Sequence, residues 1–230
     1  GFLIIMVLVM AGRDLGTTSV IAAILAGMLF VSGIQLRILG WATAAGALAL
    51  AFLIATSDYR AQRFLVFLNP FAPEDYKLAG WQPAHSLLGL ATGGLFGVGL
   101  GGSRQKWGNL PDAHTDFIFS VIGEELGLVG TLAVLALLGT LIYSMFRIAL
   151  RAQEPMIRYA CAGIACWFMA QSFLNIGSAT STLPVVGVTL PLVSYGGSAL
   201  VASLCAIGFV AGAALRDPEV RKEIVKRRGA

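Results

Sequence analysis

Apolar residues in this chain run in long unbroken stretches and do not alternate with polar ones. Residues 16–36 carry no charge, nor do residues 38–57 or 126–146, and a fourth uncharged run covers residues 159–215. A bilayer core about 30 Å thick takes ~20 residues of helix, and its interior admits only helices or closed barrels. Without period-two alternation the pattern predicts helices. The fourth run is far too long for one pass, and Pro184, Gly187 and Pro191 mark where it turns. The expectation is an all-α, polytopic transmembrane bundle with five full spans plus a partial one at residues 1–12. We read that first stretch, too short to span, as the end of a helix that begins upstream in a longer protein.

Composition agrees. Hydrophobic residues make up 57% and charged residues 12% of the 230, against about 25% charged in an ordinary soluble chain; mean hydropathy is +0.81. The net charge of +4 is small, and no basic stripe interleaved with aromatics points to nucleic acid. Cys161, Cys166 and Cys205 sit in apolar runs without a CxxC or Cys/His cluster, which argues for small apolar residues inside helices and against a metal site.

Loop charge predicts orientation. The corner at Arg37, the link 147–158 with Arg147, Arg151 and Arg158, and the basic tail 216–230 are cation-rich. By the positive-inside rule they are cytoplasmic, so the C-terminus is cytoplasmic and residues 58–115 form a large extracytoplasmic loop. That loop is rich in Trp, Phe, Gly and Pro, which predicts a structured segment.

Ionisable groups near membrane depth are the natural places to look for chemistry. In the run Ala113 to Phe119, Asp116 lies where the outer loop meets the next helix. It either works as a functional carboxylate or, like Thr115, caps that helix. If the helix is continuous, Glu124 sits ~12 Å further along it, and Glu124 and Glu125 cannot face one partner. Gly123 and Gly127 form a small-xxx-small pair that permits close approach of another element. Arg13 and Asp14 are an interfacial ion pair with a helix cap, or a functional pair. Gly101 to Gly108 combines exposed backbone N–H groups with Arg104 and Lys106, which suits a phosphate or simply a solvated loop. Residues 183–198, with two prolines and several glycines, predict an irregular or kinked start to the last helix. No HExxH or GxSxG motif is present.

Four ordered segments resemble the SEDS family, FtsW/RodA/SpoVE. They are Asp14-Leu15-Gly16-Thr17; His114-Thr115-Asp116-Phe117-Ile118-Phe119 with Gly123-Glu124-Glu125-Leu126-Gly127; Leu183-Pro184 with Gly187; and Leu190-Pro191 with Ser194-Tyr195-Gly196-Gly197-Ser198. Arg104 to Pro111 is similar to the division-type FtsW branch of actinobacteria. His85-Ser86 stands where the family usually has Gln-Ser, and Arg13 where proline is frequent. The resemblance implies a single SEDS-type domain over 1–230, about ten helices in the intact protein, and a bacterial plasma-membrane peptidoglycan glycosyltransferase that polymerises lipid II, inverting the anomeric centre. Asp116 would be the base and Arg104 and Lys106 the diphosphate ligands, with His114, Thr115, Glu124, Ser194, Gly196 and Gly197 as further substrate-binding candidates. A class B penicillin-binding protein and other divisome membrane proteins would be the partners. No cofactor is implied beyond a Mg or Mn ion sharing the diphosphate, and no protein metal cage. A lipid II flippase and a non-catalytic divisome scaffold are the rival readings, and this stretch alone is expected to be inactive.

Overall fold

In the computed structural model, residues 2–12, 14–55 and 66–217 are described; Arg13 and residues 218–230 of the basic tail lie outside them. The described secondary structure is helical throughout: α1 Phe2–Ala11, α2 Leu15–Val31, α3 Leu36–Ala55, α4 Trp81–Gly93, a π-turn Gln105–Asn109, α5 Ile118–Arg151, α6 Pro155–Ala179 and α7 Gly197–Ala214. Among the described residues α5, α6 and α7 are long and apolar enough to cross a membrane, and α2 is a shorter apolar helix. The uncharged run 159–215 divides as expected, with the irregular residues 180–196 between α6 and α7.

Helix starts follow local chemistry. Asp14 caps α2, accepting from Thr17 N at 2.9 Å and Thr17 Oγ1 at 2.6 Å. Arg13, the other member of the expected pair, lies outside the described residues. Pro155 opens α6 at a position where its missing N–H costs nothing.

α6 is the central helix, with 56% of its apolar stretch buried against 17% for α5 and 11% for α7. Small residues let α2 lie close to it: a side chain at Gly27 would meet Cys166 Sγ at 2.0 Å. Cys161 and Cys166 are buried and Cys205 is exposed. One core cluster gathers Met145, Phe168 and Val210 between α5, α6 and α7. A second gathers Leu110, Phe117, Leu138 and Leu190 beneath the start of α5. At the far end Arg216 Nη1 lies 4.0 Å from Glu154 Oε2, placing the end of α7 beside the α5–α6 link. A cavity of about 430 Å3, lined by Arg147, Arg151, Glu154 and Arg216 among others, opens there.

Two sequence expectations change. α5 begins at Ile118, so Asp116 precedes the helix and the ~12 Å helical offset to Glu124 does not apply. α5 is also broken: Gly127 has φ 68° and ψ −161°. The carbonyls of Glu124 and Glu125 and the N–H groups of Leu128 and Val129 lose their helical partners at the break. Residues 94–99 supply replacements. Val98 N and Gly99 N donate to the Glu124 and Glu125 carbonyls at 2.9 and 3.0 Å, while Gly94 O and Leu95 O accept from Leu128 N and Val129 N at 2.9 and 3.2 Å. A side chain at Gly97 would strike Glu125 O at 2.1 Å, and one at Gly127 would strike Gly97 N at 2.4 Å. The small-xxx-small pair therefore does admit close neighbours, but they differ: Gly123 takes α4 through Leu90, and Gly127 takes the 94–99 backbone.

Candidate active site

The turn before α5 is built on one carbonyl. Asp112, at φ 55°, accepts through its backbone oxygen from Thr115 N at 3.1 Å, Asp116 N at 3.0 Å, Phe117 N at 3.2 Å and Thr115 Oγ1 at 3.2 Å. Phe117 is the N-cap residue of α5 and no side chain caps that helix, so neither Asp116 nor Thr115 serves as a cap. Phe117, fully buried, and Ala113 anchor the turn in the core beside Leu190.

Three consecutive carbonyls of this turn are then captured from elsewhere. Tyr195 N donates to His114 O at 2.9 Å. Ser194 Oγ donates to Thr115 O at 2.6 Å and accepts from Leu190 N at 2.7 Å. Asn175 Nδ2 donates to Asp116 O at 2.8 Å and to Val188 O at 2.7 Å. The irregular segment before α7 is thus locked against the Asp116 turn, with Asn175 of α6 inserted between them. The His114 ring sits edge-on to Tyr195, centroids 5.7 Å apart.

With its backbone held, the Asp116 carboxyl is half-buried and is not sealed off. Burial first, and then the negative charge of Asp112, hold it above the ordinary aspartate range. Gly187, at φ 69°, faces it: a side chain there would begin 3.6 Å from Asp116 Oδ2. Gly197, at the start of α7, borders open space.

The glycine-rich loop is arranged differently from the phosphate cradle read in the sequence. Glu124 is 1% exposed. Its carboxylate accepts from Ser103 Oγ at 2.5 Å, Arg104 N at 3.0 Å and Gln105 N at 3.3 Å. The N–H groups offered to a phosphate are therefore occupied by a carboxylate of the same chain. Glu124 anchors this loop through those three bonds. Lys106 forms an ion pair with Glu125, so the two glutamates do take different partners. The exposed Arg104 guanidinium has no partner among the described residues.

α4 braces the site from behind. Ser120 Oγ donates to Ser86 O at 2.6 Å and Ser86 Oγ to Ala179 O at 2.7 Å, joining α4, α5 and the end of α6. His85 is buried in a stack with Trp81, centroids 3.9 Å apart, and its Nδ1 lies 2.9 Å from Trp81 O. Among the described residues no group of three or more His, Cys, Asp or Glu could hold a metal ion.

Sequence reasoning missed Asn175 and Asp112. Asn175 is a lone amide in an apolar helix, a signal in itself. Asp112 gave none, because its role is carried by its backbone and its conformation.

Comparison with known proteins adds kinship to this geometry. The family described as Cell cycle protein (FtsW/RodA/SpoVE) matches residues 1–217. A protein of Mycobacterium tuberculosis, "Probable peptidoglycan glycosyltransferase FtsW", is 42% identical over 212 residues, covering 92% of this chain and 40% of that protein. A Dichelobacter nodosus protein of the same description is 43% identical over 202 residues, 86% of this chain and 50% of its own. This chain thus spans about half the length of the curated relatives it matches. A solved complex, described as a peptidoglycan synthase coordinating polymerization and crosslinking, superposes with TM-score 0.69 at 31% identity, covering 91% of this chain and 58% of that one. An Asp-to-Ala mutant of the rod shape determining protein RodA of Thermus thermophilus gives TM-score 0.60 at 30% identity, over 91% and 52% of the two chains.

Proposed function

This chain belongs to the FtsW/RodA/SpoVE family of multi-pass membrane proteins, and we propose that the protein it forms part of is a peptidoglycan glycosyltransferase that polymerises lipid II during cell division, with Asp116 as general base. In this reading the acceptor sugar's 4-hydroxyl attacks the donor's anomeric carbon. Asp116 takes the hydroxyl proton, the bond from that carbon to the lipid diphosphate breaks, and the α-linked donor becomes a β-1,4 link. The diphosphate departs from the face opposite the attack.

One observation supports the reading: Asp116 is the carboxylate whose own backbone and whose two preceding carbonyls are held by three separate donors, while among the described residues its side chain neither caps a helix nor pairs with a cation. A group fixed in place but left unpaired, with its proton affinity raised, suits proton abstraction. Arg104, without a partner among the described residues, is the cation we assign to the diphosphate, and a Mg or Mn ion riding on that diphosphate would neutralise further charge. Lys106 is committed to Glu125 and is not assigned that task. A class B penicillin-binding protein is the partner we assign, supported by the likeness to a polymerization and crosslinking complex. The plasma membrane, with the C-terminus cytoplasmic, is the location.

The test is reconstitution of the full-length protein with its transpeptidase partner and labelled lipid II. Asp116→Asn should reduce glycan synthesis by about 10²–10⁴-fold, the usual contribution of a positioned base, while insertion and partner binding persist. Undiminished polymerisation by that variant would remove Asp116 as the base; no polymerisation by the native complex would leave the scaffold reading, and lipid II crossing the bilayer without polymerisation would leave the flippase.

A further inference from the structure

Residues 94–101 are tied to α5 through several backbone groups, while their apolar side chains are not covered. Gly94 O, Leu95 O, Val98 N and Gly99 N are all bonded to the broken stretch of α5, Gly97 N donates to Gly93 O at 2.7 Å, and Gly102 N donates to Gly99 O at 3.0 Å. Left-handed conformations at Gly94, Gly97, Gly99 and Gly101 make the tight path. Yet Leu95 is 62%, Phe96 81% and Leu100 82% exposed. In water such a loop would show the reverse pattern, with apolar groups tucked in and backbone hydrated. Bare apolar side chains on a segment whose backbone is bonded toward α5 suit a surface that faces hydrocarbon.

Its height along the bundle fits. Arg147, over the Tyr143 ring at 5.9 Å, marks one boundary of the α5 span. A hydrocarbon core of ~30 Å is crossed in ~20 helical residues, and that count back from Arg147 reaches Gly127, where the loop is bonded. The loop's apolar side chains continue the exposed apolar surface of α5 at Leu128, Val129 and Leu132. Just beyond them come exposed Trp107, Lys106 at 5.5 Å from its ring, and Arg104, the residue types of a membrane–water boundary.

We infer that the 94–101 loop dips into the acyl chains of the leaflet on the Asp116 side, with Phe96 and Leu100 as its lipid anchors. The occupant of this surface is phospholipid hydrocarbon, and the glycine loop is an interfacial wedge locked to α5 by backbone bonds. It would hold the start of α5, and the turn before it, at a set depth.

Site-directed spin labelling of the full-length protein in vesicles of phosphatidylethanolamine and phosphatidylglycerol tests this. Cys205→Ala removes the exposed thiol of this stretch, Cys161 and Cys166 being buried, and any cysteine elsewhere in the full-length protein is replaced as well. Phe96→Cys and Leu100→Cys are then labelled, with Leu132→Cys as lipid reference and Pro111→Cys as water reference, all four positions being exposed. Labels at 96 and 100 should follow position 132, several-fold more accessible to oxygen than to a water-soluble nickel chelate. Accessibility to the chelate like that of position 111 would overturn the inference. So would exclusion of both reagents, which would mean that protein covers the loop.

Discussion

Asn175 gives both of its amide hydrogens to carbonyls, one of them that of Asp116 at 2.8 Å and the other that of Val188 at 2.7 Å. A single side chain on α6 thereby spaces the Asp116 turn from the segment that leads into α7. Asn175→Ala leaves two buried carbonyls without a donor and is expected to cost about 2–4 kcal/mol. Thermal unfolding of the solubilised protein should show that loss. Polymerisation at a temperature where the variant is still folded should fall as well, because the carbonyl that fixes Asp116 is released. Full activity in a folded Asn175→Ala protein would mean that the turn holds itself.

Proton affinity offers a second check. The Asp116 carboxyl titrates above the ordinary aspartate range, through burial and through Asp112. A base must be ionised, so activity should fall on acidification at a higher pH than an ordinary aspartate would give. Asp112→Asn removes the like charge and should move that acid limb to lower pH, only part of the way because burial is the larger cause. For stability the sign is opposite. A carboxyl whose folded-state pKa is raised stabilises the fold below its unfolded pKa, and that contribution is lost as pH rises through the folded value. At neutral pH the ionised Asp116 is therefore a net cost, and Asp116→Asn should melt no lower than the native protein. An acid limb unmoved in Asp112→Asn would remove Asp112 from the account.

Glu124 separates anchoring from substrate binding. Glu124→Ala strands Ser103 Oγ, Arg104 N and Gln105 N inside the protein and should cost about 3 kcal/mol or more, exposing residues 101–110 to limited proteolysis. Glu124→Gln keeps one acceptor oxygen and should be intermediate. Lys106→Ala, which breaks a partly exposed pair, should cost about 1 kcal/mol or less. A Glu124→Gln protein with native protease resistance but a raised KM for lipid II would instead place the carboxylate on the substrate.

Much of this was legible in the chain. Of the five spans expected from the uncharged runs, α5, α6 and α7 are the described helices long and apolar enough to cross a membrane, and lipid imposes that pattern directly. Pro184, Gly187 and Pro191 marked the irregular link before α7, because proline and glycine act locally. Asp116 stood out as an acid between a polar loop and an apolar helix. Three things were hidden. The break at Gly127 looked like a helix-packing glycine, since the 94–99 backbone that satisfies it lies about thirty residues away. Helix α4 is short and less apolar than the other helices, and it packs mainly against α5. The loop around Arg104 resembled an anion cradle because glycine and cations are equally suited to wrapping an internal carboxylate, and only the fold reveals which acid arrives.

The contact between Gly97 and Gly127 has a bearing on how genetic data for this protein would read. No side chain separates the two backbones, so neither position can be exchanged and no change at the other can compensate. A saturation scan would score 97 and 127 as intolerant as 116, and a map of intolerance alone would draw the proposed catalytic centre too large. Rescue chemistry distinguishes them: an exogenous small base could in principle stand in for a missing carboxylate, whereas nothing added to the medium can restore clearance between two main chains.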